Sequence, residues 1–171
     1  MIRERLALNI SARLIPSTLR AIAGMLLLLC LPAFAGEDVS VTASPTKARG
    51  GAYAVDFRLK NIGAAPLTFK RRQLPWAQSA TSGLVVVAIS RAKGGSPLPS
   101  GRSLHNPVGE VTLQQGQSVE GSLELERVIP DLRSALQDGE VVVHWTYFPQ
   151  AGDVALPSHS GWFSLKPERT K

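Results

Sequence analysis

Apolar and polar residues alternate strictly from Tyr53 to Lys60. Tyr53, Val55, Phe57 and Leu59 take one parity, and Ala54, Asp56, Arg58 and Lys60 take the other. A period of two, with aromatic and β-branched side chains on one parity, predicts a half-buried antiparallel strand. Asn61-Ile62-Gly63 breaks the pattern, because Asn and Gly tolerate turn conformations, and Pro66 restarts an extended segment with Leu67 and Phe69 on one side. The same alternation predicts a strand over 38–44, with Val39, Val41 and Ala43 on one parity and Pro45 as its end. It recurs at Val111 and Leu113. It recurs again at Val119, Leu123 and Leu125 against Ser118, Glu120, Ser122, Glu124 and Glu126, with Gly121 on the buried parity. Val141, Val143, Trp145 and Tyr147 against Val142, His144, Thr146 and Phe148 predict a long central strand, and residues 162–166 a last one. The stretch 84–90 is different. It is a near-continuous valine-rich run, which predicts a central strand covered on both faces or at least shielded at one end.

One stretch changes period. Ile129, Leu132 and Leu136 fall at i, i+3 and i+7, with Pro130 and Asp131 suited to a first turn and Gly139 to a stop, so 129–137 predicts a short helix. Lys93-Gly94-Gly95-Ser96 reads as a hairpin turn, Pro97 and Pro99 make the next segment edge-like or irregular, and 149–160 reads as a loop. About seven or eight evenly spaced strands with one short helical insert predict an all-β fold. The architecture expected is an immunoglobulin-like sandwich of two antiparallel sheets.

The strand ending Leu59-Lys60-Asn61-Ile62-Gly63 and followed by Pro66-Leu67 is one part of a recognisable order. The valine-rich strand, Val111-Thr-Leu-Gln-Gln-Gly116-Gln-Ser-Val119 and Gly139-Glu-Val-Val-Val143 complete it. Together they resemble small immunoglobulin-like modules of two groups. These are the BsuPI-type proteinase-inhibitor domain and the Ig-like prodomain that precedes some secreted zinc metalloendopeptidases. The resemblance covers most of 53–147 and rests on turn glycines, one proline and buried aliphatics. It implies the sandwich fold and a non-catalytic binding role, with protease inhibition through an exposed loop as the alternative.

The N-terminus bears on compartment. Arg3, Arg5, Arg13 and Arg20 precede residues 21–35, which carry no charge and include Leu26-Leu-Leu-Leu29; Pro32-Ala33-Phe34-Ala35 and then Gly36-Glu37-Asp38 follow. A basic segment, a short apolar run and a small-x-small site form a secretory signal peptide, so residues 1–35 are expected to leave by cleavage after Ala35. Fifteen residues fall short of the ~20 needed to cross a bilayer, so no stable membrane span is expected afterwards. Leu29 before Cys30 does not fit a lipidation site. The expected mature chain, one domain over 36–171 in the periplasm or outside the cell, then holds no cysteine and no methionine. It has no disulfide framework and no thiolate. It carries 15 basic and 12 acidic residues, a net charge of +3 against the formal +6 of the whole chain. A nucleic-acid binder concentrates far more positive charge, so nucleic acid is not an expected partner.

Chemistry-bearing constellations are sparse. The nucleophile elbow is missing, since Gly116-Gln117-Ser118-Val119-Glu120-Gly121 has the wrong spacing and lies on a strand. His105, His144 and His159 have no His or carboxylate at i, i+2, so neither a metal site nor a cofactor is expected, and the chain does not read as an enzyme. The unusual segment is Lys70-Arg71-Arg72-Gln73-Leu74-Pro75-Trp76, where a basic cluster runs into a Pro-Trp pair. Arg and Trp are frequent interface anchors, which makes Arg71, Arg72 and Trp76 the candidate partner-binding residues, with Lys47 and Arg49 as an extension. The other reading of Trp76 is a plug at the end of the sandwich. Trp145 shares the parity of Val141 and Val143 and reads as core, whereas Trp162 reads equally as core or edge. For the inhibitor alternative the candidate loops are Leu74-Pro75-Trp76 and Pro97-Leu98-Pro99. The partner expected is an envelope or secreted protein.

Overall fold

A computed structural model describes residues 38–101 and 107–167. The expected signal segment with Cys30, the His105-Asn106 loop and the last four residues lie outside the described residues. Residues 36–171 form one compact unit. Its chain order is β1 (Val39–Lys47), β2 (Tyr53–Asn61), β3 (Leu67–Lys70), two 3-10 turns (Arg71–Gln73 and Pro75–Ala77), β4 (Leu84–Ser90), β5 (Ser96–Pro97), β6 (Glu110–Leu113) and β7 (Ser118–Glu124). Then come α1 (Leu125–Val128), α2 (Leu132–Asp138), β8 (Val141–Tyr147), the small hairpin β9–β10 (Gln150–Ala151, Val154–Ala155) and β11 (His159–Leu165). The fold is an immunoglobulin-like sandwich. One sheet has the order β1-β2-β7 and the other β11-β8-β4-β5, all pairs antiparallel, with β3-β6 as a separate two-stranded ribbon.

The inner faces carry the alternation read from sequence. Val55, Phe57, Leu59, Leu123, Val141, Val143, Trp145 and Tyr147 are buried. Phe57 of one sheet meets Trp145 of the other edge-on, with centroids 5.5 Å apart and rings at 89°, an arrangement that aromatic quadrupoles favour. Two tryptophans lie over glycines. Trp145 faces Gly161 across the β8–β11 ladder, and a Cβ there would stand 3.0 Å from its indole. Trp76 covers Gly121 so closely that any Cβ would overlap the ring. Asn61 is fully buried and satisfied: its amide donates to Ala65 O and Leu113 O at 2.8 Å each and its oxygen accepts from Gly63 N–H. It therefore ties the end of β2 to β6.

Four elements depart from the sequence reading. Pro45 does not end β1, because β1 is an edge strand and its odd-numbered N–H groups face away from β2; the even-numbered phase is fixed by Ile62 N–H to Asp38 O and Ala48 N–H to Ala52 O. A proline costs no ladder bond there. The helix expected over 129–137 begins only at Leu132, and Leu125–Val128, read as the end of a strand, form a separate short helix, with Ile129 between the two at φ −128° and ψ 85°. Pro130 disfavours the helical region for the residue before it. The loop over 149–160 contains the β9–β10 hairpin, and β11 begins at His159. The run at β4 is central in its sheet but not covered on both faces: Val85 and Val87 are 51% and 38% exposed.

Candidate interaction surface

Arg71 and Arg72 are exposed on the first 3-10 turn. Arg71 N–H donates to Gly109 O at 2.8 Å, and Arg72 lines a shallow hollow with Lys70, Val108 and Glu110. Val108 beside them is 91% exposed. Trp76 belongs to the second turn, is half-buried, and packs against the core over Gly121. The structure thus places the two arginines at the β3–β6 corner and Trp76 beneath β7, not in one shared patch. Lys47 lies elsewhere, 3.9 Å over the Tyr53 ring, near Arg133 and Leu136. Arg49 is exposed between β1 and β2.

The turns around Trp76 are held from below. Tyr147, fully buried, donates its hydroxyl to Gln73 O at 3.0 Å, and burial pushes its phenol far above the usual tyrosine value. Gln73 in turn donates to Gln150 Oε1 at 2.6 Å. Leu74 and Pro75 are buried. Leu98 packs against the core and donates its N–H to Ala88 O at 2.8 Å. Neither Leu74-Pro75-Trp76 nor Pro97-Leu98-Pro99 therefore projects as the free loop that an inhibitor would insert in a cleft.

A surface that the sequence reading did not identify lies on the outer face of the β11-β8-β4 sheet. Register aligns three rows across it: Val85–Thr146–Ser160, Val87–His144–Trp162 and Ile89–Val142–Ser164. Trp162 is 77% exposed and heads the middle row. The signal was present in the sequence, because Trp162 shares its parity with Ser160 and Ser164 and so faces away from the core. His159 stands opposite Tyr147, three pairs from His144 along the same ladder.

Beside this face is a groove of about 360 Å³, lined by Pro75, Leu84, Val86, Leu123 and Val128, with Gln78 and Ser82 among its polar residues. Gln78 has φ 53°, the positive-φ non-glycine among the described residues. No group of three or more His, Cys, Asp or Glu that could hold a metal ion occurs among the described residues. No helix among them is long and apolar enough to cross a membrane.

No protein-family model matches the chain, and no curated protein matches it. Among solved structures it is similar to the GAE domain of GGA2p from Saccharomyces cerevisiae. Identity is 10%, the alignment covers 78% of this chain and 94% of that one, and the TM-score is 0.28. A superposition that loose carries no functional argument.

Proposed function

We propose that this chain is an exported, non-catalytic interaction module that takes a protein partner on the outer face of its β11-β8-β4 sheet. The observation that carries the reading is Trp162, 77% exposed in the middle of a regular strand. A tryptophan there adds little to the fold and leaves a large apolar surface in water, and it is among the strongest interface anchors when a partner covers it. Val85 and Val87 extend the apolar surface on the same side. Arg71 and Arg72 form a separate cationic corner that would steer an acidic partner. Export rests on the basic and apolar segments of residues 1–35, and the intact mass of the exported protein should correspond to a chain beginning at Gly36.

The partner is an envelope or secreted protein. The test is affinity capture from envelope extract with wild-type, Trp162→Ser and Arg71→Glu/Arg72→Glu protein, read by mass spectrometry. Trp162→Ser should lose the specific partner. The double arginine variant should keep it but associate more slowly, with the difference shrinking as salt rises, because screening weakens steering and not aromatic burial. Identical capture by wild-type and Trp162→Ser would refute this surface.

A further inference from the structure

Among the described residues the β4 edge is only partly paired. Phe148 N–H bonds to Gly83 O and Arg91 N–H to Glu140 O. With the β4–β8 register, this phase turns the odd-numbered main-chain groups of β4 toward β8 and the even-numbered groups toward the opposite edge. On that edge β5 pairs with Ile89 and Ser90, and Leu98 N–H takes Ala88 O. Among the described residues no strand pairs with β4 below Ala88. The N–H and C=O of Val86 and the C=O of Leu84 therefore point along the groove lined by Pro75, Leu123 and Val128, while Ser82 Oγ lies 3.4 Å from Leu84 N.

We propose that this edge is a docking site for an extended peptide segment of a partner protein, which adds to β4 as a short antiparallel or parallel strand. The inference deepens the interaction-module reading and rests on it. An unpaired strand edge asks for backbone, since its N–H and C=O groups regain bonds only from another extended chain. The groove specifies the side chains. An added strand would point alternate residues inward between Leu84, Val86, Leu123 and Val128, and none of the described residues lining the groove is charged. The inward residues of the occupant are therefore neutral and apolar. Its outward residues would lie beside Val85 and Val87, continuing the apolar outer face. A second copy does not meet this requirement through its own β4. Its inward residues, Leu84 and Val86, are already packed against its own core. The occupant is thus a segment of another chain with alternating aliphatic residues. The open edge spans only a few residues, so the contact is short and its side chains supply much of the affinity.

The test uses the purified protein and an acetylated, amidated heptapeptide alternating valine with threonine. A matched peptide carries the same side chains, with N-methyl groups on the amides that would face β4. Saturable binding should shift the Val86 amide resonance and slow its hydrogen exchange, and N-methylation should weaken binding at least about tenfold. Val86→Pro should weaken the unmodified peptide similarly while leaving the β8 ladder intact, because the Val86 N–H makes no bond to β8. If that variant fails to fold, the pair of peptides decides alone. Equal binding of the two peptides, no binding of either, or a footprint on Trp162 without Val86 would overturn the proposal. So would a dimer of the wild-type protein that Val86→Pro abolishes, which would assign the edge to a second copy. Failure of the parent reading is a separate result: Trp162→Ser would capture every partner while the peptide still bound at Val86.

Discussion

The two sheets of the sandwich share an inner chemistry and differ on their outer faces. Outside β1-β2-β7, register gives the rows Ser40–Lys60–Ser118, Thr42–Arg58–Glu120 and Ser44–Asp56–Ser122. Every member is polar or charged, and Arg58 reaches both Ser118 Oγ at 3.2 Å and Glu120 at 3.3 Å. Outside β11-β8-β4 the matching rows carry Val85, Val87, Ile89, Val142 and Trp162. The strands are equally regular in both sheets, so backbone geometry does not demand the difference. Water suits the first face. Among the described residues the second leaves Val85, Val87 and Trp162 exposed, and the proposed contact surface rests on that difference.

The comparison breaks first if the inner faces are not what hold the sandwich together. Phe57→Ala removes the ring that meets Trp145 edge-on and leaves a cavity between sheets. It should cost ~3–5 kcal/mol in urea unfolding. A loss below about 1 kcal/mol would mean that the sheets are not joined through this pair.

The next test sets two tryptophans against each other. Trp76 packs over Gly121, and Trp162 stands in solvent. Trp76→Ala should lower stability by about 2 kcal/mol, roughly half the value for a fully buried ring. Gly121→Ala should also destabilise, because its Cβ would drive the ring outward. Trp162→Ala should stay within ~0.5 kcal/mol of wild type. Equal losses for the two tryptophans would remove the distinction between packing and contact residues.

That distinction shows what sequence alone could supply. Phe57, Leu59, Val143 and Trp145 were legible as core because period two in a mixed strand leaves one choice of buried face. At β4 both parities are apolar, so alternation carries no information and the exposed Val85 and Val87 were hidden. Arg71, Arg72 and Trp76 are adjacent in sequence, but a 3-10 turn rotates successive side chains, so adjacency does not make a patch. The partner of Trp76 is Gly121, far along the chain. The clue was a glycine on the buried parity of β7, whose missing side chain leaves room that some large residue must fill. Pro130 likewise announced a helix boundary, though an i, i+3, i+7 pattern ran across it.

The smallest expected effect asks whether charges at the end of the polar sheet contribute to stability. Partial burial raises the pKa of Glu126. Hydrogen bonds from Arg133 and from Tyr53 N–H, with the positive charges of Arg133 and Lys47, outweigh it and hold the carboxyl below the usual glutamate range. A carboxyl whose folded pKa is depressed binds its proton more weakly in the folded chain. Its contribution is therefore complete above the unfolded value of about 4.3 and is lost as pH falls through the folded value. Arg133 is 60% exposed at its side chain, so solvent screens the pair and limits it to about 1 kcal/mol or less. Glu126→Gln should lie below wild type at pH 7 by that amount, and the two unfolding free energies should converge as pH falls through the acid range. The difference between the variants isolates this one group, because all other carboxylates titrate in both. A gap that is constant from pH 7 down to pH 3 would show that the Glu126 side chain acts by packing, and that its charge contributes nothing to the end of this sheet.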